Sequence, residues 1–407
     1  MRLMLVRSVA VWALTPVVGA GMFAMTAEAD VIAAEPKAAI EALTAEQVGR
    51  RHLQSLLLQV RIDGVEALTI AHGTAMTGVP VTRDHHFRNG AVALAYVAAM
   101  ALRLAEDGVV DLDVPVSRWL PELPAGDKAT LRMLANMTAG YPDHVADEES
   151  FIAPFYADPF AHWSPEALID ISLSAERRFE PGENWDYSHS GYVILGRTLE
   201  AATGRPMAEL MADHVLAPLG LSETHGFDTA MVPEPALHAF TAERGVWEDA
   251  THWNPSWTLP SGAIQVTTIT DMARSFDAIV GHDGFLTAES RAQMIEPRLI
   301  GFGAPLDGCA TCRTLSETFS YGLGAALQGD WVFQTPSFGG YAASVGTLPE
   351  GRADGGRITI AAVATFTPDS HADWTGGLPN WADETVRLAA AILVPGNPPP
   401  MPPSREE

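Results

Sequence analysis

The stretch Phe87-Arg88-Asn89-Gly90-Ala91-Val92-Ala93-Leu94-Ala95-Tyr96-Val97-Ala98-Ala99-Met100-Ala101-Leu102 decides how this chain is read. Every position from Ala91 to Leu102 is apolar, so the segment predicts a helix, reaching about Ala105, of the kind that sits inside a core. Upstream, Leu56 to Val60 and Ala67 to Ala71 predict a hairpin around Asp63-Gly64. Downstream, Val114 to Leu120 runs into Pro121, residues 130–230 are mostly helix and loop, and Ser164-Pro165-Glu166 marks a helix start. Trp331 to Gln334, Tyr341 to Leu348 and Ile358 to Phe366 read as strands, and residues 382–393 as a closing helix. Strands therefore lie at both ends of the chain. The ends have to meet to complete one sheet, which leaves a helical lobe at roughly residues 110–260 and a cleft between the lobes.

Composition bounds what such a fold does. Arg2 and Arg7, the uncharged run from Ser8 to Ala27 and the small residues of Ala27-Glu28-Ala29 read as a signal peptide over residues 1–29. An exported protein is expected, in the periplasm, the cell envelope or outside the cell, with an uncleaved anchor as the alternative. No later stretch is apolar enough to span a membrane. Residues 30–49 read as an Ala-rich lead-in, 50–394 as the folded domain and 395–407 as a disordered Pro-rich tail. The 25 basic and 50 acidic residues leave a net charge of −25, which argues against nucleic acid as a partner. Cys309 and Cys312 are the only cysteines, and in an exported chain Cys-Ala-Thr-Cys is expected to close a small loop as a disulfide. No residue cluster has the spacing of a zinc or calcium site and no glycine-rich loop has nucleotide-binding context, so neither metal nor cofactor is expected.

A family resemblance then emerges from motifs in order. Phe87-Arg88-Asn89-Gly90 and its helix lead to Leu104-Ala105-Glu106-Asp107-Gly108 and Val110-Asp111-Leu112-Asp113-Val114-Pro115. Asn136-Met137-Thr138-Ala139-Gly140-Tyr141-Pro142-Asp143 follows, then Trp185-Asp186-Tyr187-Ser188-His189-Ser190-Gly191-Tyr192. Pro218-Leu219-Gly220-Leu221 and Ser261-Gly262-Ala263 complete the series. Over roughly residues 50–370 the chain resembles the β-lactamase-related serine hydrolases: class C β-lactamases, penicillin-binding D,D-peptidases and esterases. The resemblance implies an α/β (α+β) fold of the β-lactamase/transpeptidase type, with an antiparallel sheet flanked by helices and a helical subdomain facing the cleft.

It also implies a catalytic set that this chain does not carry. The family's Ser-x-x-Lys falls on Ala91 and Leu94, and no serine or lysine occurs between Arg83 and Arg103. An alanine has no oxygen to attack with and a leucine no proton to exchange. The Tyr-x-Asn motif keeps Tyr187 but places His189 third, and the strand motif falls near Ser337-Phe338-Gly339 without its cation. Tyr187 and His189 remain the catalytic candidates, with Ser188 and Ser190 as alternative nucleophiles. Ser337, Gly339, Asn136 and Ser188 are expected to line the cleft. His85 and His86 read as a solvated turn; His144, beside Asp143, is a better cleft candidate but reads as surface; and His252 to Trp257 reads as a core cap ahead of a sugar-stacking segment. The expected function is a non-catalytic relative whose cleft holds a small molecule, a cell-wall peptide or a glycan. The alternatives are an ester or amide hydrolase working through Tyr187 and His189, and a structural envelope scaffold.

Overall fold

Two-residue periodicity along the long strands sets the architecture. The computed structural model describes residues 31–226, 229–260, 262–263, 265–352, 356–372 and 380–401; the expected signal peptide lies outside them. Strands β1 (Leu53–Ile62), β2 (Val65–Met76), β3 (Val79–Pro80), β4 (Ser320–Tyr321), β5 (Ala326–Gln328), β6 (Trp331–Gln334), β7 (Ser337–Phe338), β8 (Tyr341–Leu348) and β9 (Ile358–Phe366) form one nine-stranded sheet. Its order is β3-β2-β1-β9-β8-β6-β5-β4, with β7 paired to β8 and every pairing antiparallel. The two ends of the chain meet where β1 pairs with β9, Leu56 opposite Ala364 and Val60 opposite Ile360. The β1–β2 hairpin turns at Asp63-Gly64, as the sequence predicts.

Successive side chains of a strand point to opposite faces. Leu56, Leu58 and Val60 of β1 and Ile360, Ala362 and Ala364 of β9 enter one core, together with Ile40 and Val386. That face is covered by helices α1 (Ala34–Arg50) and α6 (Trp381–Leu393). Leu57, Ala361 and Val363 point the other way, into the core that contains α2 (Val92–Glu106). All residues of α2 from Val92 to Leu102 are buried, which is why that run carries no polar face. Helices α3 (Pro165–Ser174), capped by the Ser164 hydroxyl, and α4 (His189–Thr203) belong to the helical middle. Helix α5 (Ile269–Phe276) lies against β1 and β9.

Two boundaries differ from the sequence reading. Residues 34–50 are a helix packed on the sheet and on α6 rather than a lead-in, because Ile40, Thr44 and Gln47 share one buried face. The expected disordered tail is held in place as far as it is described. Trp331 donates its indole N–H to the carbonyl of Asn397 at 2.9 Å, and the buried Arg387, paired with Asp383 at 2.8 Å, also donates to the carbonyl of Pro400. Backbone acceptors thus hold the tail, in which Pro399 is also buried.

Cys309 and Cys312 are joined as a disulfide, closing the loop that the sequence predicts. Thiol quantification on denatured, unreduced protein should therefore find no reactive thiol. Two per chain would remove the bridge.

Candidate functional site

The site is assembled where the first turn of α2 meets the β6–β7 connection. Gly90 has φ +50°, and a Cβ there would lie 2.8 Å from Cβ of Pro336, so only glycine lets the helix begin this close to the strand. Ala91 follows as the helix N-cap residue and lines a cleft of about 350 Å³. Tyr187, His189, Trp257, Tyr321, Gln334 and Ser337 line the same cleft. Four of the positions singled out from sequence, Ala91, Tyr187, His189 and Ser337, therefore converge. Leu94 does not reach it. It is fully buried, and the β4–β5 turn presses on the helix there: a Cβ at Gly324 would sit 2.5 Å from the Leu94 carbonyl oxygen.

The start of α4 carries the rest of the polar machinery. Ser188 caps this helix, its hydroxyl accepting from the Gly191 N–H at 3.1 Å and donating to the carbonyl of Tyr141. It is committed to the backbone and does not line the cleft. The hydroxyl of Ser190 accepts from the backbone N–H of His144 at 2.9 Å and bonds its Nδ1 at 2.8 Å, while Nε2 bonds the carbonyl of Trp257. Ser190 and His144 are fully buried in this arrangement, so they are a structural clasp and not a nucleophile pair. Burial lowers the His144 pKa to about 4, keeping it neutral.

His189 is the first residue of α4 and faces the cleft with its side chain 21 % exposed. Its Nδ1 bonds a carboxylate oxygen of Asp143 at 2.9 Å, and its backbone N–H bonds the other at 3.1 Å. Burial alone would raise the Asp143 carboxyl, but the neighbouring His189 and His144 outweigh it and hold the group below the ordinary range. A buried carboxylate that fixes one imidazole nitrogen leaves Nε2 for whatever occupies the cleft. Tyr187 stands beside it, ring centroids 5.2 Å apart, with its backbone N–H on Thr311 of the disulfide loop. Burial, then the charge of Asp143, pushes its phenol well above the usual value, which keeps the hydroxyl protonated.

Several residues are placed otherwise than the sequence suggested. Asn136 accepts from Thr138 at 2.7 Å away from the cleft, and Gly339 lines a neighbouring aromatic pocket that Ser337 shares. His85, His86 and His144 are buried, not surface residues. Thr82 binds the His85 ring, Glu223 the His86 ring at 3.3 Å, and a backbone bond from His86 to Pro235 folds a loop over them. Trp253 is buried core as expected, whereas Trp257 faces the cleft. Asp143, the partner of His189, was not visible in the sequence as a site residue. It is 46 positions away, and an Asp-His dipeptide after a Tyr-Pro turn carries no signal of which histidine it will meet. Among the described residues, the one group close enough to hold a metal ion is Asp186 with Cys309 and Cys312, whose sulfurs are bonded to each other. No described helix is long and apolar enough to cross a membrane.

The family described as Beta-lactamase matches residues 40–401, and the chain belongs to that family. Penicillin-binding protein 4 of Amycolatopsis lactamdurans is 28% identical, over 77% of this chain and 81% of its own length. Penicillin-binding protein 4* of Bacillus subtilis (strain 168) is 25% identical, over 61% of this chain, and the match spans 54% of that protein. Esterase EstB of Burkholderia gladioli is 28% identical over 62% of this chain and 74% of its own. Among solved structures, the octameric penicillin-binding protein homologue from Pyrococcus abyssi superposes with a TM-score of 0.70 at 20% identity, covering 89% of this chain and 78% of that one. The D-stereospecific amidohydrolase from Streptomyces sp. gives 0.64 at 24% identity, covering 83% and 99%. These superpositions establish the β-lactamase/transpeptidase fold.

Proposed function

We propose that this chain is an exported member of the family that holds a small ligand in its cleft, a cell-wall peptide, a glycan fragment or a related amide or ester, without forming an acyl-enzyme. The observation that carries this reading is at the cleft floor. Ala91 presents a methyl group where the family's nucleophile would stand, and Leu94, at the position of its base, is sealed in the core. Loss of a nucleophile typically costs on the order of 10⁶ in turnover. The open volume of about 350 Å³ supports ligand binding over a purely structural role. Incubation with a penicillin or a fluorophosphonate, followed by intact mass spectrometry, should show no adduct. A stoichiometric adduct on any serine would overturn the reading.

One arrangement favours a second reading, hydrolysis by a different catalytic set. The Asp143–His189 pair is built as an oriented general base. In that chemistry His189 takes a proton from water as the oxygen bonds the ester carbonyl carbon. The same proton passes to the departing alkoxide, giving acid and alcohol. The two readings separate on one assay: steady hydrolysis of an activated ester, lowered about 100-fold or more by His189→Ala, would establish the hydrolase. No hydrolysis by the parent leaves the binding reading in place, and hydrolysis unaffected by that change assigns the activity to another group.

A further inference from the structure

Beside the cleft lies a second cavity of about 320 Å³. Protein interiors are close-packed, and this volume is room for about ten water molecules at ~30 Å³ each. Its walls are aromatic: Phe151, Phe155, Tyr156, Trp253, Trp257 and Phe338. The rings are mutually braced, Phe151 stacking on Phe155 at 5.7 Å, Trp253 standing edge-on to Phe155 at 5.7 Å and Trp257 stacking on Phe338 at 5.9 Å. They are preorganised faces rather than loosely folded side chains. Trp257, Ser337 and Phe338 also line the cleft, so the two spaces adjoin.

Among the described residues, Glu243 is the one carboxyl that lines this cavity, with the Tyr156 phenol beside it. Its oxygens accept from the hydroxyls of Thr241 at 3.1 Å and Tyr156 at 3.2 Å, and among the described residues it forms no ion pair. Burial holds its carboxyl above the usual range, as it does for an acid without a cationic neighbour. No lysine, arginine or histidine lines the cavity. Aromatic faces carry negative potential at their centres, and a box of them around one carboxyl is suited to a cation with apolar substituents. The net charge of −25 adds a field that concentrates cations at such a recess.

We propose that this cavity is a subsite for an organic ammonium group: the amine-bearing arm of a ligand whose remaining part lies in the cleft. The assignment rests on the reading that the cleft binds a small ligand. It places the ammonium against Glu243, with its carbon chain between the rings. A free amine on an amino-acid or peptide side chain has this chemistry.

The test compares two probes of equal shape, phenethylamine and 2-phenylethanol, titrated into the full chain by calorimetry or ligand-observed saturation-transfer NMR. The amine should bind at least tenfold more tightly than the alcohol, a preference of about 1.4 kcal/mol. Glu243→Gln keeps the size and one accepting oxygen, while its NH2 donates to the other hydroxyl; it should abolish that preference and leave the alcohol's affinity unchanged. The comparison on the unaltered protein stands even where the variant fails to fold. Equal affinity for the two probes overturns the ammonium subsite while leaving a ligand-binding cleft. Binding of neither probe, up to their solubility limits, overturns the subsite; titration of a cell-wall peptide then tests the cleft separately. An amine preference that survives Glu243→Gln places the cation elsewhere and overturns the assignment.

Discussion

The double variant Ala91→Ser with Leu94→Lys should fold with a loss of several kcal/mol and should become slowly acylated by an activated ester. Positions i and i+3 of a helix share a face, so the substitution returns a hydroxyl and an amine to one turn of α2. The serine is the benign half, because Ala91 already borders open cleft. The lysine is the costly half. Leu94 has no solvent exposure, and an uncompensated charge placed there costs about 3–5 kcal/mol unless the amine releases its proton. Release is what a base requires, so part of the penalty is converted into reactivity. Tyr187 and His189 stand across the cleft, but Ser337 supplies no cation to hold the developing oxyanion, so acylation should outrun turnover. Urea unfolding measures the first expectation and intact mass after ester exposure the second, with both single variants as references. A double variant that folds but is acylated no faster than the parent would show that Ala91 and Leu94 are not the positions of the ancestral pair.

Stability should also fall by about 3 kcal/mol between neutrality and about pH 4, through a single buried imidazole. In the unfolded chain His144 takes up a proton near its ordinary value of 6.5, whereas in the fold burial delays this to about 4. Between those values the unfolded state binds more protons, so stability declines as the pH falls, by ~1.4 kcal/mol for each unit separating the two. The physical obstacle is local: Nδ1 and Nε2 of His144 are committed to Ser190 and the Trp257 carbonyl, and a second ring proton finds no solvent. Asp143 acts in a separate and lower window. Its depressed carboxyl stabilises the fold above the ordinary carboxylate value, and that contribution is lost as the pH drops below it. Urea midpoints near neutrality and at about pH 4.5 give the slope of the upper window. His144→Gln should be less stable at neutral pH yet show a flatter profile between pH 4 and 6.5. A variant with the parent's slope would assign the acid sensitivity to another group.

Much of the fold was legible in the sequence because its signals are local. The mostly apolar run from Leu56 to Val60, the β-branched run from Ile358 to Phe366 and the all-apolar segment from Val92 to Leu102 are each set by the side chains that a strand or helix must bury. The meeting of the chain's two ends followed because neither group of strands can cover itself. The absence of serine at position 91 and lysine at position 94 needed no structure either.

The composition of the site was legible; its partnerships were not. Tyr187, His189 and Ser337 line one cleft with Ala91. Asp143 was missed, Ser188 and Ser190 were given a chemical reading they do not sustain, and three histidines were placed on the surface. One physical reason covers these cases. A hydrogen bond or a burial event between residues tens of positions apart depends on how the helical middle closes over the sheet, and a local pattern carries no record of that closure. Sequence alone determined the sheet, the core helix and the presence of alanine at position 91 and leucine at position 94. Only the tertiary structure decided that Asp143 meets His189, that His144 clasps Ser190, and that six aromatic rings from three separate stretches of the chain line one cavity with Glu243.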